Sequence, residues 1–515
     1  MKNWLNNAVF YEIYPQSFMD SNSDGIGDFQ GIIQKLDYIK EMGFTAIWMN
    51  PCFDSPFYDA GYDIRDFYKV AERYGTNEDL KQLFDEVHKR DMHLLLDLVA
   101  GHTSIECEWF NQSKLPTQNK YTHRYIWSDV TWKDFSGVTG VKGSLRGISE
   151  RDGSCAVNYY TVQPALNFGF NQITDPAYQL SWESAPAIET REEIINIIRF
   201  WAKLGCDGFR VDMASSLVKN DPGQECTIKL WQELFAVINK EFPDLKFVSE
   251  WGEPEKALKA GFDMDFLLHF GPSHYNDMYH SDNCYFSGHG NSEEFFKYYI
   301  EISKQVKDNG GLICLPSGNH DMQRLSYYLD EAQIKLVYAF MMSMPGVPFI
   351  YYGDEIGMRY LDKMPSKEGG YFRTGARSPM QWDSTKNSGF SMAEEDKLYL
   401  PIDENENRPT VEKQQKDENS ILNELKKQIK IRKANPVLQE KADFVLLNDG
   451  YPLVFKRILG DEEILVTINT TDKEATFKID EINTQKVIYS FNGVAKIENG
   501  GLSVPPKSAT FIQVK

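Results

Sequence analysis

Short apolar runs recur along most of the chain, and many are followed by apolar positions at helical spacing. The first run is Val9-Phe10-Tyr11-Glu12-Ile13-Tyr14. Ile32, Ile33, Leu36, Tyr38 and Ile39 then mark a helix that Gly43 ends. A second strand is predicted over 45–50, followed by a helix with Leu80, Leu83, Phe84 and Val87 on one face. The third strand, 93–99, is nearly all apolar, as in a parallel strand covered on both faces. From Thr103 to about Phe170 no helical period appears, and the stretch is too long for a simple connection, so it predicts a small inserted domain. Thr190-Arg191-Glu192-Glu193 reads as a capping box that starts a helix through Ile194, Ile197, Ile198, Trp201 and Leu204, stopped by Gly205. The apolar run from Cys206 to Val211 follows and sets Asp212 at its tip. Further strands are predicted at 247–250, 264–268, 312–315 and 347–352.

Eight strands alternating with helical segments predict an α/β fold, a (β/α)8 TIM barrel, closed by a helix from Ile421 to Lys433. Beyond Asn435-Pro436 the pattern changes to short alternating strands at 445–447, 453–455, 464–468, 487–489 and 509–514, which predict a C-terminal antiparallel β-sandwich. The predicted domains are a barrel over 1–102 and 171–435, an insert over 103–170 after strand 3, and the sandwich over 436–515.

Composition narrows the partners. A net charge of -20 argues against nucleic acid and fits a neutral ligand. The 27 Tyr, 32 Phe and 10 Trp suit a core, and also a cleft that receives the flat faces of sugar rings. No run reaches transmembrane length, and Met1 to Asn7 contain no apolar signal core, so a cytoplasmic protein without a membrane partner is expected. Monomer and small homo-oligomer both stay open. The seven cysteines are scattered without a zinc-type pair, and Cys206 and Cys314 sit inside apolar runs, so free buried thiols are expected.

Three carboxylates, Asp212, Glu250 and Asp321, each end a predicted strand and so point to one cleft at the barrel's C-terminal face. Arg210 lies two residues before Asp212, on the same strand face. His102 follows the third strand and His320 precedes Asp321. Carboxylates, imidazoles and aromatics in one cleft suit glycosidic hydrolysis, in which one ionised carboxylate attacks and a second delivers a proton. Arg210 is expected to lower the pKa of Asp212 and keep it the nucleophile. A separate stretch, Asp20 to Asp28, places oxygen ligands at every second position around a Gly, like the first part of a calcium loop. Its expected ligands for calcium, or magnesium, are Asp20, Asn22, Asp24, the Ile26 carbonyl and Asp28.

These motifs are similar to those of the α-amylase family, glycoside hydrolase family 13, over nearly the whole chain. The resemblance rests on Gly27-Asp28-Phe29-Gln30-Gly31-Ile32, Asp97 to His102, Gly208 to Asp212, Ser249-Glu250-Trp251 and Asn319-His320-Asp321, in that order. Arg373 to Asp383 and the Asp20 loop resemble the oligo-1,6-glucosidase/neopullulanase-like branch. The resemblance implies that Asp212 is the nucleophile, Glu250 the general acid/base and Asp321 the stabiliser of the transition state. It implies that Tyr62 stacks on the sugar, and that Asp59, Asp63, His102, Arg210 and His320 bind its hydroxyls or orient the carboxylates. It further implies a retaining double displacement on an oligosaccharide, with α-1,4 bonds of maltooligosaccharides or short α-glucans as the first expectation. Oligo-1,6-glucosidase, a transglycosylase or isomerase acting on sucrose or trehalose, and an inactive transporter subunit are the alternatives.

Three departures stand out. Where many members supply calcium ligands between barrel and insert, this chain has Gly101, Ala165 and Ser216, so that site is expected to be absent. Ser215 replaces the Lys of α-amylases. Met213 matches neither the Val of oligo-1,6-glucosidases nor the Ala of other members.

Overall fold

A computed structural model describes residues 4–480 and 485–514. The reading of the N-terminus rests partly on Met1 to Asn3, which lie outside them. Eight strands form a closed parallel barrel: β1 Phe10–Ile13, β2 Ala46–Met49, β3 His93–Val99, β4 Gly208–Asp212, β5 Lys246–Ser249, β6 Met264–Phe266, β7 Leu312–Pro316 and β8 Val347–Tyr351. Each pairs with its sequence neighbours, and β8 pairs with β1. Phe10, Trp48, Leu95, Val248, Phe266 and Phe349 fill the interior, so the barrel is a packed core that leaves its C-terminal mouth for chemistry.

Gly208 at the start of β4 is dictated by crowding. A Cβ there would stand 1.9 Å from the Lys246 carbonyl oxygen, at a φ of +157°. Any side chain would push β4 away from β5 and disturb the register that brings Arg210 beside Val248.

The outer helices are α1 Phe29–Met42, α2 Asn77–His88, α3 Ala185–Leu204, α4 Glu225–Glu241, α5 Pro254–Lys259, α6 Glu293–Asn309, α7 Glu331–Ser343 and α8 Ile421–Ala434. Their starts follow ordinary capping chemistry. Thr76 and Asp79 form a reciprocal capping box on α2, and Asp330 and Gln333 do so on α7. The capping box expected at Thr190 does not form. Helix α3 begins at Ala185 with Pro186 in its first turn, and the Thr190 hydroxyl donates to the Pro186 carbonyl at 2.9 Å from inside the helix.

Between β3 and α3 the chain forms a three-stranded sheet of Trp127–Ser128, Gly143–Arg146 and Ser154–Val157. It carries its own small core around Ile126, Phe135, Ala156 and Phe170. After α8 comes a five-stranded antiparallel sheet ordered Asp443–Asn448, Leu453–Leu459, Glu462–Asn469, Ser508–Gln513, Lys486–Phe491. A second sheet of Ala475–Lys478, Gly501–Val504 and Lys496–Glu498 faces it, three short strands absent from the sequence reading. Two buried guanidiniums bind this part to the barrel. Arg457, on the strand Leu453–Leu459, donates to the Ser343 carbonyl at the end of α7. Arg432 on α8 joins the carbonyls of Met342, Met344 and Gly346 to that of Leu438 just beyond the helix. All seven cysteines are free and buried, and no helix among the described residues is long and apolar enough to cross a membrane.

Candidate active site at the barrel mouth

Asp212 is the last residue of β4, and Glu250 directly follows β5, with its N–H donating to the Val211 carbonyl at 2.9 Å. Asp321 does not end its strand as expected. β7 stops at Pro316, and Asp321 is reached through Ser317 to His320, where the Asn319 side chain accepts its N–H at 2.8 Å.

Arg210 ties three carboxylates together. Its Nη1 donates to Asp97 Oδ1 at 2.9 Å and to Asp212 Oδ1 at 3.0 Å, and its Nη2 lies 3.0 Å from Glu250 Oε2. Asp97 and Arg210 are direct partners across β3 and β4, so the strand register sets the first contact. Met213 sets another. Its backbone is left-handed, φ 44° and ψ 39°, and turns its N–H onto Glu250 Oε2 at 3.0 Å. A non-glycine residue there costs about 1 kcal/mol, a strain of the kind retained at functional sites.

The electrostatics correct one expectation. Burial and the charge of Glu250 raise the pKa of Asp212 well above the usual carboxylate range, and Arg210 opposes them without reversing the sign. The guanidinium is not Asp212's alone, which is why its pull is diluted. Burial likewise lifts Asp97 to about 6 despite its contact with Arg210. Asp321 goes the other way. Burial disfavours its charge, yet Arg377 at 2.8 Å and Arg373 at 3.0 Å, both on Oδ1, hold it well below the usual range.

The imidazoles are neutral hydrogen-bonding groups, since burial pushes both His102 and His320 down to about 3. His102 donates from Nε2 to the Tyr62 carbonyl at 3.0 Å and accepts from Asn158 at Nδ1 at 3.0 Å. His320 stacks on Tyr62, with ring centres 5.5 Å apart and planes 12° apart, and its Nε2 lies 2.9 Å from the Tyr62 hydroxyl. Its Nδ1 meets Glu12 and Asn50, both at 3.0 Å. The Tyr62 hydroxyl also donates to Asp97 at 3.1 Å, so the aromatic platform is pinned from below and behind.

Asp59 faces the cleft, accepting from Gln163 at 2.7 Å and from Arg373 at 3.3 Å. Asp63 does not. Its carboxylate is wholly buried and accepts the N–H groups of Tyr58 and Asp59 and the Ser55 hydroxyl, at 3.0, 2.9 and 3.2 Å. It therefore braces the loop that carries Asp59 and Tyr62. Sequence reasoning marked the stretch Arg373 to Asp383 by its resemblance but gave Arg373 and Arg377 no role at the site. They lie on the 3-10 segment Tyr371–Arg377, far from the strand tips in sequence, and nothing in their spacing marks them. Arg373 bridges Asp59 and Asp321 and also donates to the Tyr160 hydroxyl at 3.0 Å and the Gly369 carbonyl at 2.8 Å. The resulting cleft encloses about 620 Å³, with exposed Tyr159, Phe270 and Phe372 among its walls.

At the junction of barrel and insert the neighbourhood of Gly101 and Ser216 holds an ammonium group. Lys219 is fully buried and donates to Asn158 Oδ1 at 3.1 Å and to the Ser216 carbonyl at 2.6 Å. Burial lowers its pKa to about 7. A Cβ on Gly101 would come within 2.7 Å of Asn158 Nδ2, so a larger residue there would displace the amide that joins Lys219 to His102.

In the Asp20 loop the side chains fold back on the backbone. Asp20 accepts the N–H groups of Asn22, Ser23 and Gly25 and the Ser391 hydroxyl, and Asn22 and Asp24 accept those of Asp24 and Ile26. Asp28 caps α1 through the Gly31 N–H at 2.7 Å. Among the described residues no three His, Cys, Asp or Glu side chains are grouped to hold a metal. The donors are nonetheless all oxygen, which suits a hard cation. Asn22 Oδ1 and Asp24 Oδ1 each accept one N–H and keep a lone pair. Asp20 and Asp28, with two hydrogen bonds on every carboxylate oxygen, would have to give some up to bind one.

A parallel barrel with carboxylates, a shared guanidinium and a stacking tyrosine at its C-terminal mouth is the architecture of a sugar-cleaving enzyme. The Alpha amylase, catalytic domain family matches residues 12–441. An oligo-1,6-glucosidase of Parageobacillus thermoglucosidasius is 30% identical, over 92% of this chain and 92% of its own. Alpha-amylase 3 of Dictyoglomus thermophilum is also 30% identical, over 99% and 94%. Among solved structures, an isomaltulose synthase variant from Erwinia rhapontici in complex with sucrose superposes with a TM-score of 0.83 at 25% identity, covering 100% of this chain and 99% of that one. The chain belongs to the α-amylase family and is a glycosidase of that family.

Proposed function

We propose that the protein is a retaining, exo-acting α-glucosidase that removes terminal glucose from short α-glucans, with α-1,4-linked maltooligosaccharides as its substrates. Asp212 attacks the anomeric carbon while Glu250 gives a proton to the leaving oxygen. Water then displaces Asp212 and returns a proton to Glu250. Arg210, with one nitrogen on each carboxylate, supports this division of labour. Asp212 must be ionised to attack. The charge of Glu250 is one cause of its raised pKa, so the proton that the first step requires on Glu250 removes that cause. Asp321, held ionised by Arg373 and Arg377, offers a fixed negative charge to the oxocarbenium-like transition state.

The observation that carries the exo reading is the Arg373 bridge. By linking Asp59 to Asp321 it would wall the cleft beyond a terminal sugar and offer charged hydrogen-bond partners to that sugar's hydroxyls. A second reading, α-1,6 cleavage, is favoured by relatives that include an oligo-1,6-glucosidase and a glucan 1,6-alpha-glucosidase. Product profiles from maltotriose, isomaltose, sucrose and trehalose separate the readings, with Asp212→Asn as the control. Glucose from maltotriose is expected, and Asp212→Asn is expected to abolish it. Glucose from isomaltose alone selects the α-1,6 reading, and new disaccharides from sucrose or trehalose overturn the hydrolase.

The Asp20 loop is proposed to hold calcium or magnesium in a structural role, distant from these steps. Asp20, Asn22, Asp24, the Ile26 carbonyl and Asp28 would supply the oxygens.

A further inference from the structure

A smaller void opens beside the cleft. Glu250, His269, His280, Asp321 and Met322 line both spaces. The void continues between Trp48, Phe266 and Leu268 and has room for about 20 Å³ of water, enough for one or two molecules. Between these apolar walls, polar groups including Arg210, Glu250, His269, His280, Asn319 and Asp321 are available to hold an occupant.

His280 is one of them. It is 6% exposed, and its Nε2 donates to the Ser317 carbonyl at 2.8 Å. A carbonyl can only accept, so the ring proton sits on Nε2 and Nδ1 is a free lone pair. That Nδ1 has no protein partner although it is buried, and the same holds for Nδ1 of His269. Leaving a buried acceptor empty is costly, and a polar void next to it is where ordered water belongs.

We propose that this alcove holds a resident water, hydrogen-bonded to His280 Nδ1, which is the water that completes hydrolysis. This rests on the glucosidase reading. The water's oxygen bonds to the anomeric carbon as the bond from that carbon to Asp212 breaks. One water proton passes to Glu250, and Asp212 leaves as a carboxylate. His280 accepts a hydrogen bond and exchanges no proton, so it is a positioning residue. A water supplied from the side reaches the glycosyl-enzyme without entering through the cleft mouth, where a sugar acceptor competes.

The test is partitioning. An aryl α-glucoside is cleaved in the presence of cellobiose, an acceptor too large for the alcove, and phenol, free glucose and transfer product are measured. His280→Leu removes the acceptor atom, and His280→Gln keeps one. His280→Leu is expected to raise the ratio of transfer product to glucose about fivefold, the worth of one neutral hydrogen bond, with kcat/KM for phenol release nearly unchanged. His280→Gln is expected to return the ratio toward that of the unaltered enzyme. Leu268→Phe, which fills the void from its apolar wall, is expected to raise the ratio too and carries the test if His280→Leu does not fold. An unchanged ratio in the folded variants, or equal ratios for His280→Leu and His280→Gln, overturns the proposal. Failure of the unaltered enzyme to release phenol refutes the glucosidase reading instead.

Discussion

Replacing Arg373 by Ala tests the proposed closed pocket directly. The guanidinium donates to Asp321 at 3.0 Å and to Asp59 at 3.3 Å, and its loss leaves Asp321 with Arg377 and Asp59 with Gln163. Neither carboxylate becomes unpartnered, so the fold is expected to survive, with little change in melting temperature. What is lost is a charged hydrogen bond that fixes Asp321 against the developing positive charge. Such a bond contributes about 1.5–3 kcal/mol, so kcat/KM on maltotriose is expected to fall by about 10- to 150-fold. Arg373→Lys restores the charge without the planar fork that spans two carboxylates, so its recovery is expected to be partial. The second effect is on product pattern. With the bridge gone, the cleft extends past Asp59, and maltopentaose is expected to yield maltose and maltotriose beside glucose. The assay is chromatography of early products together with initial rates. An Arg373→Ala enzyme that keeps its kcat/KM and still releases glucose alone would refute the reasoning and reduce the bridge to a surface contact.

Two further outcomes follow from features outside the cleft. Added calcium is expected to raise the melting temperature by a few degrees, as binding to the folded state alone requires, and Asp20→Ala with Asp24→Ala is expected to abolish that response. No response in the unaltered protein marks the loop as a bare turn. Lys219 gives a pH signature. Its folded pKa, about 7, lies below the ordinary value of 10.5, so the unfolded chain binds the extra proton between those limits. Stability is therefore expected to rise with pH from 7 to 10.5, by an amount on the order of 5 kcal/mol at most, and Lys219→Met is expected to lose that slope in denaturant titrations. Equal slopes in the two proteins would show that Lys219 is solvated.

The sequence by itself determined the barrel and the strand tips. Nearly continuous apolar runs such as 93–99 define strands buried on both faces, and that signal is local enough to read along one chain. It also placed Asp212, Arg210 and Glu250 on adjacent strands, because residue spacing along a strand fixes which side chains share a face. The short strands at 475–478, 496–498 and 501–504 escaped because, although each alternates, three or four residues are too few to mark a period. Thr190 misled because a capping pattern inside a longer helix looks like a start, and Pro186 upstream had already supplied one.

Only the tertiary structure decided the electrostatics. Whether Arg210 lowers or fails to lower the pKa of Asp212 depends on how many carboxylates share it, and Asp97, Asp212 and Glu250 reach it from three strands. Asp63 turned inward because the backbone N–H groups of Tyr58 and Asp59 needed an acceptor there. Arg373 and Arg377 arrive on Asp321 from a segment more than fifty residues downstream, and Lys219 finds Asn158 across the junction with the insert. Spacing along a chain carries hydrophobic period. Charge acts through space, so its sign at each carboxylate appears once the chain has closed around it.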